Sequence, residues 1–183
     1  MGGLLSRNKG KRAERELALM FSKWWGVPNS FARTPDSGAF ATRRKMVGQT
    51  AEEFNGDVFG PPECKLHIES KHHESWGFDA VVTAEGGVLP PSHPLAGWLR
   101  QAHTEARPGA LPIVVFRKNR MPWMVAYEPA QVPTTTVRPI APLNVLVPLS
   151  GLGTSTSDEH VLIAILRLDD FLTIPASAFG RTE

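Results

Sequence analysis

Between residues 9 and 25 the apolar positions recur every three or four places, at Ala13, Leu17, Met20, Phe21 and Trp24. That spacing is the stripe of an amphipathic helix. Asn8 is placed to cap its start, and Gly26-Val27-Pro28 to end it. Glu14 lies beside the stripe, where a carboxylate can lean over the edge of a sheet. The pattern is lost over residues 30–50. There the small, turn-prone run Pro35-Asp36-Ser37-Gly38-Ala39 and the charges of Arg33, Arg43, Arg44 and Lys45 read as a mobile loop. From Asp57 to Lys71 the chain reads as a short strand, a turn at Gly60-Pro61-Pro62, and a second strand. The two-residue period puts Cys64, Leu66, Ile68 and Ser70 on one face, and Glu63, Lys65, His67, Glu69 and Lys71 on the other.

After a break at Pro90–Pro94, Leu95–Ala106 reads as a helix carrying Trp98, Leu99 and Ala102, stopped by Arg107-Pro108-Gly109. Leu111–Phe116 is apolar throughout, the mark of a strand buried on both faces. A turn over Arg117–Pro122 leads into a strand at Trp123–Tyr127. A Pro- and Thr-rich connection at 129–143 follows. Strands at Val145–Pro148 and Val161–Leu166 flank a Gly/Ser/Thr loop at 150–158, and Asp169–Leu172 is a short helical turn. The order α-β-β-α-β-β plus a tail predicts an α/β fold: a mixed central β-sheet with a helix on each side. We expect a single domain, with a core over about 9–128 and a C-terminal β-rich extension over about 129–183.

Composition adds little to that fold but narrows the setting. The chain has 183 residues, 42% hydrophobic and 21% charged, enough for a real core. One cysteine, Cys64, cannot form an internal disulfide. No apolar run has the length of a membrane span, and the first residues lack a secretory apolar segment, so a cytoplasmic protein with no membrane partner is expected. The net charge of +2 conceals an asymmetry: residues 1–50 hold ten of the 20 lysines and arginines but only Glu14, Glu16 and Asp36 of the 18 acids. A basic half is what phosphate binding requires, although a solvated basic face gives the same count.

The hairpin at 57–71 carries the candidate chemistry. Carboxylates on adjacent strands offer oxygen ligands to a hard cation such as Mg²⁺ or Mn²⁺. A cation so held polarises a phosphodiester and acidifies a bound water. A lysine on the same face can orient that water and offset charge in the transition state. A plain cross-strand ion pair would look the same in sequence. Two acid-x-lysine units occur, Glu63-Cys64-Lys65 and Glu69-Ser70-Lys71, and parity does not separate them. His67, His72 and His73 lack the partner spacing of a zinc site and read as exposed or phosphate-contacting. No Gly-x-x-x-x-Gly-Lys-Ser/Thr loop is present for a nucleotide cofactor.

The segment Lys9-Gly10-Lys11-Arg12-Ala13-Glu14-Arg15-Glu16-Leu17 resembles the opening of archaeal-type Holliday junction resolvases, members of the PD-(D/E)XK (restriction-endonuclease-like) nuclease superfamily. The resemblance continues through Arg33, Ser37-Gly38, Gly56-Asp57, Ile68-Glu69-Ser70-Lys71, Arg117 and Trp123, and phage-encoded relatives share the layout, with a tryptophan, here Trp76, soon after Glu-x-Lys. It covers about residues 9–128. It implies the register: the strand aspartate stands about a dozen residues before Glu-x-Lys, which selects Asp57, Glu69 and Lys71 over Glu63 and Lys65. It further implies metal ligation by Asp57, Glu69 and Glu14 and catalytic roles for Glu14, Ser37, Asp57, Glu69 and Lys71. It implies DNA contacts from Arg15, Arg33 and Arg117, and the basic charge of the N-terminal segment and the loop adds Lys9, Lys11, Arg12, Arg43, Arg44 and Lys45 as expected DNA contacts. The expected cofactor is Mg²⁺, with Mn²⁺ substituting.

The function expected from this is paired incision of branched, four-way DNA by a homodimer in a bacterial or archaeal host cell, encoded by the host or by its virus. The dimer interface is expected at Trp98 and the helix 95–106, or at the tail strands. The alternatives are a PD-(D/E)XK nuclease acting on other DNA and a non-enzymatic DNA-binding module in which the acids are ion pairs. The loop from Ser37 to Asp57, longer than in the compact archaeal members, and the tail at 129–183 depart from the pattern.

Overall fold

The computed structural model describes residues 2–34, 56–73, 77–82, 85–132, 142–148 and 160–182. Ser37, Arg43, Arg44, Lys45 and Trp76 lie outside the described residues, as do most of the 30–50 loop and the 150–158 loop.

Helix α1 runs Gly2–Trp25. Its start lies well before Asn8, because the apolar stripe marks only the turns that pack on the sheet, and Asn8 falls inside the helix. The buried face is Ala13, Leu17, Ala18, Phe21 and Trp25. Trp24 sits beside that face and donates its indole N–H to the Ile174 carbonyl at 2.8 Å.

Seven strands form one sheet in the order β1-β2-β3-β4-β5-β7-β6. They are β1 Ala32–Arg33, β2 Val58–Phe59, β3 Leu66–His73, β4 Leu111–Lys118, β5 Met124–Tyr127, β6 Leu143–Pro148 and β7 His160–Arg167. Among the named strands of the described residues, β3 and β4 pair in parallel, Leu66 opposite Leu111 through His73 opposite Lys118. The other pairs are antiparallel. Parallel neighbours need a crossover, here α2 Phe78–Val82 followed by α3 Pro94–Glu105. Pro94 opens α3 at the first helical position, and the His93 ring accepts the Leu95 N–H at 3.2 Å as its cap.

Two apolar clusters cover the two faces of the sheet. One joins α1 to Ile68, Ile113, Val115 and Val125. The other joins α3 to Val114, Phe116, Ala126 and Ile163. The mixed α/β sheet flanked by helices is therefore as expected. Cys64 is buried on the α1 side. Two short pieces escaped the pattern: strand β1 inside the expected loop, and α2.

The tail is continuous with this core. Strands β7 and β6 extend the sheet beyond β5, and α4 Leu168–Phe171 folds back beneath it. Phe171 is fully buried against Tyr127 and Phe179, at centroid distances of 5.2 and 5.6 Å. Beyond it, the Phe179 carbonyl accepts the Lys65 N–H at 2.8 Å, which ties the C-terminal segment to the turn before β3. Trp98 of α3 lies against Phe116, 6.3 Å between centroids, so it packs within the chain. Among the described residues no helix is long and apolar enough to cross a membrane.

If the tail is part of the core, Phe171→Ala should cost about 3–5 kcal/mol of folding free energy. Urea denaturation followed by tryptophan fluorescence checks this; a loss below about 1 kcal/mol would mean that the tail is a dispensable appendage.

Candidate active site

Strand β3 lies between β2 and β4 and holds the site. Val58 of β2 pairs with Ile68 of β3. One step further along the antiparallel ladder, Asp57 falls opposite Glu69 on the same face. Two hydrogen bonds fix Asp57 there. Its N–H donates to the Ile68 carbonyl at 2.9 Å, and its Oδ2 accepts the Ser70 N–H at 2.9 Å. Gly56 makes this close approach possible. Its φ is +92°, and a Cβ there would stand 2.7 Å from the Ile68 carbonyl oxygen, a position open to glycine alone.

Glu69 is buried, 2% exposed. Its Oε2 accepts the Lys71 ammonium at 2.9 Å, and Lys71 also donates to Gln101 Oε1 of α3 at 3.0 Å. The other oxygen, Oε1, lies 3.7 Å from His67 Nε2, an ion-pair separation rather than a hydrogen bond. Glu14 reaches the edge of the sheet from α1 and meets Arg33 of β1 at 3.3 Å.

This environment separates the two acids. Burial, then the charge of Glu69 and more weakly that of Glu14, pushes the Asp57 carboxyl from 3.8 up to about 6, against the Ser70 N–H and Lys71. Burial also works to raise Glu69, but the His67 imidazole and the Lys71 ammonium outweigh it and hold Glu69 below its ordinary value. At neutral pH both are anions, Glu69 buried and Asp57 half-buried beside it. An oxygen-donor pair with excess negative charge fits a hard divalent cation. Asp57 and Glu69 are the residues that would hold it, with Glu14 in their field.

The structure thus gathers Glu14, Asp57, Glu69 and Lys71. Glu63 and Lys65 are exposed and precede the strand. His67 corrects the expectation of an exposed histidine: it is 2% exposed, because β3 is an interior strand with α3 packed over the face that His67 shares with Glu69. His72, half-buried, is held below its ordinary 6.5 by burial and by Arg117 and Lys9. Sequence reasoning missed Gln101 and Glu105, because only the β3–α3 packing brings them to the strand; Gln101 Nε2 donates to Glu105 Oε1 at 3.1 Å.

The expected DNA-contact residues divide. Arg12 and Arg15 are exposed on α1. Lys9 bonds Asn119 Oδ1 at 2.6 Å, and Lys11 is half-buried. Arg33 is the partner of Glu14. Arg117 grips Glu16 through both terminal nitrogens, at 3.0 and 3.3 Å, and lies 4.2 Å over the Trp123 ring, whose N–H also reaches Glu16.

A mixed sheet with an Asp on one strand and Glu-x-Lys on the next defines a nuclease of the PD-(D/E)XK class. The chain belongs to the family described as phage putative PDDEXK endonuclease, whose model matches residues 5–175. The match runs past residue 128 into the tail, in keeping with the continuous sheet. No curated protein and no solved structure matches the chain.

The raised carboxyl of Asp57 has a stability consequence. Its folded value of about 6 exceeds the unfolded 3.8, so the folded state binds this proton more tightly. The resulting stabilisation is complete below pH 4 and lost as pH rises through about 6. Asp57→Asn keeps an oxygen for the Ser70 N–H and removes the charge. In metal-free protein it should therefore melt a few degrees above the wild type at pH 8, with the gap closing near pH 4. Calorimetry at both pH values checks this; an equal or lower melting temperature at pH 8 would refute the assigned repulsion.

Proposed function

We propose that the protein is a metal-dependent DNA endonuclease that cuts four-way junctions by paired incisions, acting as a homodimer with Asp57, Glu69 and Lys71 at each site. The observation that carries the reading is the Asp57–Glu69 pair, half-buried and buried respectively, held opposite each other with Lys71 on Glu69. Two like charges crowded together, one of them buried, are costly to hold for structure alone.

Asp57 and Glu69 bind Mg²⁺, or Mn²⁺ in its place, and Glu14 contributes negative charge beside them. When bound, the cation supplies Lewis-acid polarisation of the phosphodiester and a water of lowered pKa. Lys71, tethered by Gln101, faces the scissile phosphate and offsets the charge that develops on its oxygens. The attacking water's oxygen bonds to phosphorus as it gives up a proton to solvent, the bond to the leaving sugar oxygen breaks, and that oxygen takes a proton from solvent water. Gly56 and the Ser70 N–H keep Asp57 in line. Arg12 and Arg15, exposed on α1, and Lys9 and Lys11 beside them steer the phosphate backbone. The junction preference rests on the ordered resemblance of Lys9–Leu17, Gly56-Asp57 and Glu69-Ser70-Lys71 to junction resolvases. The dimer follows from the need for two coordinated cuts, most simply given by two-fold symmetry.

Incubation of end-labelled four-way, flapped and linear DNA with protein and Mg²⁺ tests the proposal. The expected products are symmetric paired nicks in the junction alone. Asp57→Ala and Glu69→Ala should abolish cutting while binding persists, and Lys71→Ala should slow it by about 10²–10³-fold. Equal cutting of linear duplex would overturn the junction preference, and cutting by both alanine variants would overturn the site. A monomer in sedimentation at micromolar concentration, free and on DNA, would overturn the dimer.

A further inference from the structure

The other oxygen of Glu69 leads to a second set of ligands. His67 and Glu69 are two residues apart on β3 and share a face. The His67 side chain is 1% exposed, and neither of its ring nitrogens has a hydrogen-bond partner. A buried polar group left in that state is costly and calls for an explanation. Its Nε2 points at Glu69 Oε1 across 3.7 Å. Glu105, the last residue of α3, completes a set in which one donor atom from each residue lies within 4.8 Å of the others.

We propose that His67, Glu69 and Glu105 form a second cation site that takes a transition-metal ion of the Zn²⁺ or Mn²⁺ kind and rejects Mg²⁺, with Glu69 shared between this site and Asp57.

The donor chemistry sets the selectivity. One imidazole and two carboxylates suit zinc and its first-row neighbours, whereas Mg²⁺ prefers oxygen ligands and retains its waters. The geometry is close to what such an ion needs. With bonds of about 2.0–2.2 Å, ligand atoms around it stand about 3–3.5 Å apart. A movement of about 1 Å brings the present set to that spacing, and Glu105, exposed at the helix end, is the residue able to make it. The surroundings already aim the ligands. Lys71 holds Glu69 Oε2 at 2.9 Å, so Oε1 is turned to His67. Gln101 accepts from Lys71 and donates to Glu105, which ties the strand to the helix end. Asp57, just before β2 and bonded to Ser70, is not a member of the set.

The test uses metal-stripped full-length protein without DNA and Co²⁺ as the coloured probe. One Co²⁺ should bind with a visible absorption band, and a similar concentration of Mg²⁺ should leave that band unchanged. His67→Gln and Glu105→Gln should each weaken Co²⁺ binding at least about tenfold, while Asp57→Asn stays within a few-fold of wild type. Glu105 is exposed, so its variant keeps the test decisive if His67→Gln does not fold. No Co²⁺ binding by the wild type would overturn the site. So would unchanged affinity in Glu105→Gln, or loss of binding in Asp57→Asn alone. The readout is binding, so the site stands or falls apart from the nuclease reading, which Mg²⁺-driven cutting decides.

Discussion

Two carboxylates facing each other across the β2 end and β3, Glu69 buried and Asp57 half-buried, are the constraint around which this chain is arranged. Like charges in a poorly solvated place repel and lose hydration together. The fold answers with what it can place nearby. The Ser70 N–H bonds Asp57, the Lys71 ammonium bonds Glu69, and the His67 ring stands at ion-pair distance. These partners bring Glu69 below its ordinary value but leave Asp57 well above its own. The residual imbalance is the negative charge that a cation would neutralise. Gly56 at φ +92° and the short β2 set Asp57 in register, and α3 closes over the face that Glu69 occupies.

Helix α1 serves the same site from the other side of the sheet. Its apolar stripe is buried, and two acids beside that stripe lead in different directions. Glu14 pairs with Arg33 at the β1 edge, where its charge is felt by Asp57. Glu16 holds Arg117 and Trp123 at the far end of β4. Two of the cations that gave the chain its basic N-terminal and DNA-contact character are therefore engaged by carboxylates of the same helix. A Coulomb pair at such partly exposed positions is a modest stabiliser, but it fixes where each side chain points.

Much of this was legible in the sequence, for physical reasons that differ by element. The packed turns of α1, the apolar run 111–116 of β4 and the helix after Pro94 announce themselves by period and length. Strands β1 and β2, two residues each, are too short for any period to show. Asp57, Glu69 and Lys71 could be selected over Glu63 and Lys65 because the spacing of the resembled pattern suits only one register. The burial of His67 could not be read. A two-residue period assigns a face, but whether that face is covered depends on α3, about thirty residues away. Gln101 and Glu105 were hidden for the same reason. The tail was expected as a β-rich extension of the single domain; that β7 pairs with β5 and Phe171 fills the core beneath could not be read across a Pro-rich connection.

The most direct measurement is the titration of Asp57 itself, followed by carbon-13 NMR of its side-chain carboxyl in metal-free protein and again with saturating Mg²⁺. The account predicts a midpoint near 6 without the ion, as burial and Glu69 dictate, and a clear fall once the ion is bound. A midpoint near the ordinary 3.8 that Mg²⁺ does not move would contradict it.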